Sequence, residues 1–343
     1  MRIAYLGPEG TFTHQAVRTW GAGVGTTGGS TGVGAGRGPE GDAPGLGDDV
    51  VAVPLGSVGA VHDAVAAGEV DLGVVAIESS VEGHVVPSVD TLLASADVVA
   101  VDEVVLPVSF DAFVRPGHGP LREVTAHPHG LAQCRRFAAE HDLVAVPAAS
   151  NAAACRDAGP HQVALGPRLC GELYGLETFA ERVEDFSGAR TRFLVLGRRA
   201  DAPGRFLRGR HGDDRPGADR DGDTSWRTML AVTPVVTGPG VLARVTQAFA
   251  GRGVNMSSLV TRPLKAREGQ YVFVVTLDEP PWHEQVRDLC GDLLAAGDAL
   301  KVLGAYPAAP GEGGLDGVLA DHTPVGSVRA GDSATAVAAG LLW

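Results

Sequence analysis

Five short segments of the chain bring together residue types able to hold and act on a small anion. Leu6-Gly7-Pro8-Glu9-Gly10-Thr11-Phe12 leaves an apolar run and opens a helical pattern. Ile77-Glu78-Ser79-Ser80-Val81-Glu82-Gly83 follows another apolar run ahead of a helix beginning at Pro87. His127-Pro128-His129 puts proline at the favoured first helical position, and Ser150-Asn151 offers capping side chains to the segment after it. Helix N-termini carry unpaired N–H groups and a partial positive charge of roughly half a unit. Several of them converging on one cleft would hold an anion without a metal or a cofactor. The fifth segment, Arg190-Thr191-Arg192, opens an apolar strand pattern; its arginines suit carboxylates, and its threonine can donate a hydrogen bond.

Each segment also has a purely structural reading. Thr11 and Ser150 are ordinary helix caps, and a threonine within a strand, such as Thr191, usually packs. A histidine before proline, such as His127, is common in turns. The His-x-His spacing at a helix start splays the two rings, which is poor metal geometry. Gly7 and Gly10 are followed by neither GxGxxG nor GxxxxGK, so nucleotide binding has no support.

Positioning these segments requires a regular scaffold, and the patterning supplies one. Strands are predicted at 2–6, 50–54, 72–77, 97–101, 105–114, 124–126, 143–146, 162–164 and 191–196. Helices are predicted at 11–20, 57–67, 87–94, 128–139, 150–157 and 167–173. This alternation is that of an α/β fold with largely parallel sheets. Residues 227–307 read βαββαβ, the ferredoxin-like order. Residues 21–48 hold 12 glycines in 28 positions, too little apolar surface to offset ordering entropy, and read as a surface insertion. Residues 198–226 mix both charges with Gly and Pro and read as a linker; 308–343 read as a flexible tail. The expected organisation is therefore a first domain over 1–197 and a second over 227–307. The net charge of −13 argues against nucleic acid as a partner, and no apolar run reaches the 18 residues of a membrane span. The N-terminus enters a strand pattern at once, without the basic and apolar regions of a signal peptide. Four widely spaced cysteines lack a CxxC pair. Together these features predict a cytoplasmic protein.

Read together, GPEGTF, IESSVEGHVVPSVD, AHPHGLAQC, SNAAA, YGLETFAERVED and TRFLVLG, in this order and spacing, resemble the prephenate dehydratase family. GPGVLARV, GVNM and TRP in the second domain are similar to the amino-acid-binding ACT module of that family. The resemblance implies two α/β lobes like those of periplasmic binding proteins, an active site between them, and a ferredoxin-like ACT domain. It implies loss of water and CO₂ from prephenate to give phenylpyruvate in phenylalanine biosynthesis, with no cofactor and no metal. Carried over by position, Thr191 becomes the hydrogen-bond donor to the departing hydroxyl, Arg192 a substrate carboxylate partner, and Glu78 a third catalytic residue. Thr11, Ser79, Ser80, His127, Gln133, Ser150, Asn151 and Phe193 fall on substrate-binding positions. Gly238, Pro239, Gly240, Val241, Leu242, Asn255, Thr261, Arg262 and Pro263 fall on the regulatory site, with phenylalanine as effector and a homodimer or homotetramer as the assembly.

The chain departs from the family pattern in five places. Ser79 stands where asparagine is usual, His129 replaces glutamine, and Ala189 replaces an asparagine two residues before Thr191. In the module Val241 replaces alanine, and Val260 replaces a glutamate, which predicts weakened control by phenylalanine. The alternatives left open are a diverged homologue that decarboxylates prephenate, or acts on arogenate, without ordinary dehydration, and a two-lobed sensor without catalysis.

Overall fold

The computed structural model describes residues 1–25, 50–203, 225–264 and 270–309, together with 327, 328 and 333. Residues 26–48 of the glycine-rich insertion, 204–224 of the linker and nearly all of the tail lie outside the described residues.

The first lobe contains β1 (Arg2–Leu6), α1 (Phe12–Gly25), β2 (Val51–Leu55), α2 (Val58–Ala67), β3 (Leu72–Ser79), β4 (Gly83–His84), α3 (Val86–Ala94), β5 (Val98–Pro107) and β11 (Arg190–Arg198). The second lobe contains β6 (Asp111–Val114), β7 (Glu123–Ala126), α4 (Pro128–Gln133), α5 (Arg135–Glu140), β8 (Val144–Pro147), α6 (Asn151–Asp157), β9 (Gln162–Gly166), α7 (Leu169–Tyr174) and β10 (Glu177–Ala180). A C-terminal module follows: β12 (Trp226–Thr233), α8 (Val241–Gly251), β13 (Met256–Pro263), β14 (Tyr271–Leu277), α9 (Glu284–Ala295) and β15 (Ala299–Pro307). Its strand order, β13-β14-β12-β15, is ferredoxin-like. The fold is thus α/β, two-lobed, with a βαββαβ module.

The sheets are mixed, which corrects the expectation of largely parallel ones. β1 runs parallel to β2 and β3, but β11 lies antiparallel between β3 and β5. In the second lobe β7 is parallel to β8 and β9, while β6 is antiparallel to β9 and β10. The antiparallel strands are those that carry the chain between lobes, and no local pattern distinguishes them. The apolar stretch 105–114, expected as one strand, breaks at 108–110. There the outgoing segment pairs with the returning one through Val108 N–H to Ala189 O (2.7 Å) and Val183 N–H to Phe110 O (2.8 Å). Glu184 accepts from Phe110 N–H at 2.9 Å and fixes the crossing. The single helix expected over 128–139 is two, because the Asp185 carboxylate takes the N–H groups of Arg135 (2.9 Å) and Arg136 (3.0 Å) and starts α5 afresh.

Two apolar layers cover the first-lobe sheet. Ile3, Tyr5, Val74, Phe193 and Val195 pack on one face with Ala16 and Val17 of α1. On the other face Leu194 and Leu196 join Val61, Val65 and Leu92 in a core shared with Met229, Val274, Leu303 and Tyr306 of the module. The module's sheet continues that of the lobe through one pairing, Gly304 with Ala100. A Cβ on Gly304 would stand 2.5 Å from that of Ala100, so glycine permits the junction. Lys301 of β15 donates to the carbonyls of Leu92 (3.0 Å), Leu93 (2.7 Å) and Ser95, closing the C-terminal end of α3. Among the described residues no helix is long and apolar enough to cross a membrane.

His62 of α2 is 2% exposed, and among the described residues neither ring nitrogen has a hydrogen-bond partner. Burial pushes its pKa down from 6.5 to about 4. Between those values the unfolded chain takes up a proton that the folded chain refuses, so stability falls as pH drops through this window. The loss, complete below about pH 4, amounts to roughly 3 kcal/mol. His62→Leu should remove that component, seen as a shallower decline of urea-unfolding stability than wild type between pH 6.5 and 4. Parallel declines would show that His62 is not the acid-sensitive group.

Candidate active site

The turn after β1 is shaped by close backbone contact. Gly7 N–H donates to Leu55 O at 2.9 Å, and a Cβ on Gly7 would fall 2.8 Å from that of Pro54. Thr11 caps α1: its hydroxyl reaches Pro8 O (3.1 Å) and Leu6 O (3.3 Å) and accepts from His14 N–H (3.2 Å). Gly10, at φ +82°, occupies the left-handed region that glycine tolerates best. The second lobe fastens this turn from across the cleft, with Cys170 Sγ–H on Gly10 O (3.2 Å) and Tyr174 O–H on Glu9 O (2.7 Å).

The second turn is pinned to β11. Ser79 Oγ accepts from Val81 N–H and Glu82 N–H, each at 3.3 Å. Ser80 Oγ accepts from Arg190 N–H at 2.9 Å, while Ser80 N–H donates to Arg190 O at 2.9 Å. From the second lobe, His127 N–H donates to Asn151 Oδ1 at 2.9 Å, and Ser150 Oγ accepts from Ala153 N–H at 3.0 Å to cap α6. The His127 pKa is lowered by burial and by neighbouring His129, against an opposing pull from Glu82. Thr11, Ser79, Ser80, His127, Ser150 and Asn151 all lie at or just beyond strand ends, and most of their polar side-chain atoms brace backbone N–H groups. Gln133 closes the far end of α4, about 9 Å along the axis from His127 at 1.5 Å per residue; its carbonyl accepts from Asp185 N–H at 2.6 Å.

Thr191 pairs in register with Ser79, and Arg192 with Glu78. Successive side chains of a strand leave opposite faces. Phe193 lies in the core beneath α1, so half-buried Thr191 shares the α1 side with it and with Ser79. Arg192 turns to the other side, where its guanidinium meets Glu78 Oε2 at 2.7 Å and Glu103 Oε2 at 3.4 Å. Glu103, whose side chain is fully buried, also binds Arg227 (3.0 Å) and the N–H of Ala309 (2.7 Å). Arg192 and Glu78 line a cavity of about 20 Å³ with His84, Ser258, Val260, Val274 and Tyr306, room for a single water. Three residues adjacent in sequence thus serve two different sides of the sheet.

The module holds a larger cavity of about 450 Å³, lined by Pro234, Val236, Thr237, Gly238, Val241, Leu242, Thr261, Tyr271 and Phe273. Gly238 (φ +122°) and Gly240 (φ +85°) shape the turn that carries Pro239 into α8. Of the remaining expected regulatory residues, Asn255 is engaged with Asp278 at 2.6 Å, and Pro263 ends β13. Arg262 faces the first lobe and forks onto Asp90 of α3 at 2.6 and 2.8 Å. Val260 also faces the lobe. Glu103, Arg227, His84, Cys170 and Tyr174 were not singled out from sequence. A signal existed for Glu103, a charge inside the apolar run Val101–Leu106, and for Tyr174, which opens the YGLETF segment.

Two lobes joined by paired crossing segments, polar turns at the ends of their strands and a C-terminal ferredoxin-like module define a two-lobed α/β protein. A sequence profile of the prephenate dehydratase family matches residues 3–201. A prephenate dehydratase from Mycobacterium sp. (strain JLS) is 35% identical over 319 residues, covering 91% of this chain and 90% of the relative. The crystal structure of the prephenate dehydratase of Arthrobacter aurescens in complex with L-Phe is 28% identical with a TM-score of 0.68, covering 90% of this chain and 92% of that one. The quorum-quenching acylase GqqA, at 23% identity and a TM-score of 0.70 over 90% of this chain and 99% of that chain, shares the fold alone. The chain belongs to the prephenate dehydratase family.

The bond from His127 N–H to Asn151 yields a direct check. Asn151→Ala leaves a part-buried donor without its acceptor and should lower unfolding stability by about 1–3 kcal/mol, whereas Asn151→Asp should lose less. Equal urea midpoints for wild type and Asn151→Ala would show that this bond does not hold the turn.

Proposed function

We propose that the protein is a cytoplasmic carbon–oxygen lyase that converts prephenate to phenylpyruvate in phenylalanine biosynthesis. The C4–OH bond breaks, and the hydroxyl leaves as water with one added proton. The bond from C1 to its carboxylate breaks to release CO₂, and its electron pair completes the aromatic ring. Aromatisation drives the step, so the protein's task is to hold a dianion and to assist a poor leaving group. Thr191 donates a hydrogen bond to the departing hydroxyl; in a site shielded from water such a donor is worth far more than in bulk solvent. Ser79, Ser80, Thr11, His127, Ser150 and Asn151 build the surrounding wall. The observation that carries this reading is Thr191 on the α1 side of β11, opposite Ser79, within the span matched by the family.

The domain assignment belongs to the same proposal: a catalytic region over 1–197, a linker over 198–226, an ACT module over 227–307 and a tail beyond. Phenylalanine occupies the 450 Å³ cavity, a volume suited to a small molecule, and the module's surface carries a homodimer or homotetramer. Val260, the position behind the expected weakening of control, lines the small cavity on the other face of β13. Val241 lines the larger cavity and is the departure that bears directly on a ligand held there.

Thr191→Ala should lower kcat by about 100-fold or more with unchanged folding, and Thr191→Ser should retain appreciable turnover. Phenylpyruvate absorbance in alkali is the readout, and wild-type turnover by Thr191→Ala would refute the donor role. In the same assay, loss of prephenate without phenylpyruvate would indicate the decarboxylating homologue, and no turnover by wild type a binding protein. Leu242→Trp, which fills the module cavity, should raise the Kd for phenylalanine about tenfold, equivalent to about 1.4 kcal/mol. Unaltered calorimetric binding would place the effector elsewhere.

A further inference from the structure

Two cavities lie back to back across the module's sheet. Thr261 and Phe273 face the larger one, and their chain neighbours Val260 and Val274 face the small one beside Glu78 and Arg192, as strand alternation requires. Among the described residues β13 is the outermost strand of the module's sheet and pairs with β14. A ligand that presses on Thr261 therefore bears, through the shared backbone, on Ser258, Val260 and Arg262 on the opposite face.

Those three residues are the points at which β13 touches the first lobe. Ser258 Oγ lies 3.4 Å from His84 Nε2, Val260 packs into the shared core, and Arg262 forks onto Asp90 of α3. His84 in turn stands 3.7 Å from Glu78, and Glu78 holds Arg192 at 2.7 Å. We propose that this face of β13 transmits ligand binding in the larger cavity to the cleft, and that Glu78 and Arg192 are positioning residues for Thr191 rather than substrate contacts. The proposal rests on the functional reading above.

The charge pattern supports the assignment. The Arg192 guanidinium already faces two carboxylates, Glu78 and Glu103, on the side of β11 opposite Thr191. A carboxylate bound on the Thr191 side would lie on the other face of β11 from it. Glu103 anchors the arrangement from below, since it is buried and shared with Arg227 of the module. Moving Glu78 shifts Arg192, and with it the peptide that carries Thr191. The Gly304–Ala100 junction and the Lys301 cap on α3 instead hold the module in place, and no residue of either lines the larger cavity.

Asp90→Asn in the full chain tests the route, because Asp90 lies in neither the cleft nor the module cavity. Basal kcat and KM should match wild type, and calorimetry should show unchanged phenylalanine affinity. The effect of saturating phenylalanine on prephenate turnover, a coupling on the order of 5- to 150-fold in proteins of this kind, should fall to within about twofold. Asp90→Glu, which keeps the charge, should restore part of it, and the exchange Asp90→Arg with Arg262→Asp should restore more. Undiminished inhibition of Asp90→Asn would overturn the route while leaving the enzyme assignment standing. Should Asp90→Asn fail to fold, Asp90→Glu with full wild-type inhibition and the exchange with none would overturn it equally. Arg192→Lys supplies an independent readout. A positioning role lowers kcat and weakens the phenylalanine response at nearly constant KM, whereas a rise in KM at constant kcat would show that Arg192 touches substrate. A wild type that turns over no prephenate would remove the functional reading, and this proposal with it.

Discussion

Glu103 places a carboxylate in the interior with no solvent-exposed side-chain surface, a position that costs several kcal/mol for an isolated ion. Arg192, Arg227 and the N–H of Ala309 offset that cost. Each comes from a different part of the chain: the last strand of the first lobe, the first strand of the module, and the residue two beyond the module's last strand. The carboxylate draws on all three, so lobe and module share one electrostatic requirement. The apolar core they share, from Leu194 to Tyr306, contributes more buried area but is less selective, because hydrophobic burial has no direction.

From this constraint follows the division of labour on β11. With Arg192 committed to Glu103 and Glu78, the pleat sends Thr191 and Phe193 to the other side. Phe193 is then locked beneath α1, and Thr191 stands opposite Ser79 at the strand end. A bulge in β3, where Ile77 has no register partner on β11, adjusts the pairing at this point. Bulges commonly re-aim a side chain next to a functional site.

The cleft is built on a different principle. Its polar residues mostly brace backbone N–H groups: Thr11 and Ser150 cap helices, Ser79 and Ser80 hold a turn, and Asn151 holds His127. Rigid turns at the ends of strands hold these side chains in fixed positions. The second lobe reinforces them through Cys170 and Tyr174, which bond to the backbone of the first turn. The hydrogen bond with Cys170, and burial after it, hold the Cys155 thiol well above the ordinary thiol range, as expected for inert packing.

Much of this was legible in the sequence because it is local. Caps, turn glycines and the βαββαβ order are set by residues within a few positions of one another, and the motif order carried the family. What the sequence could not settle depended on distant partners. The break between α4 and α5 is imposed by Asp185, fifty residues beyond Arg135. The division of 105–114 between two sheets is imposed by Glu184 and Ala189 on the returning segment. An arginine beside a threonine reads in sequence as one site, but a strand sends neighbours to opposite faces, and only the packed sheet decides which face meets the cleft. Thr261 and its neighbours Val260 and Arg262 read as one stretch in sequence, and the pleat of β13 sends Val260 and Arg262 toward Asp90 and the first lobe. The sequence by itself determined the elements and the chemistry at their ends; the tertiary structure decided the faces, because facing is fixed by long-range packing and by buried charges that must find partners.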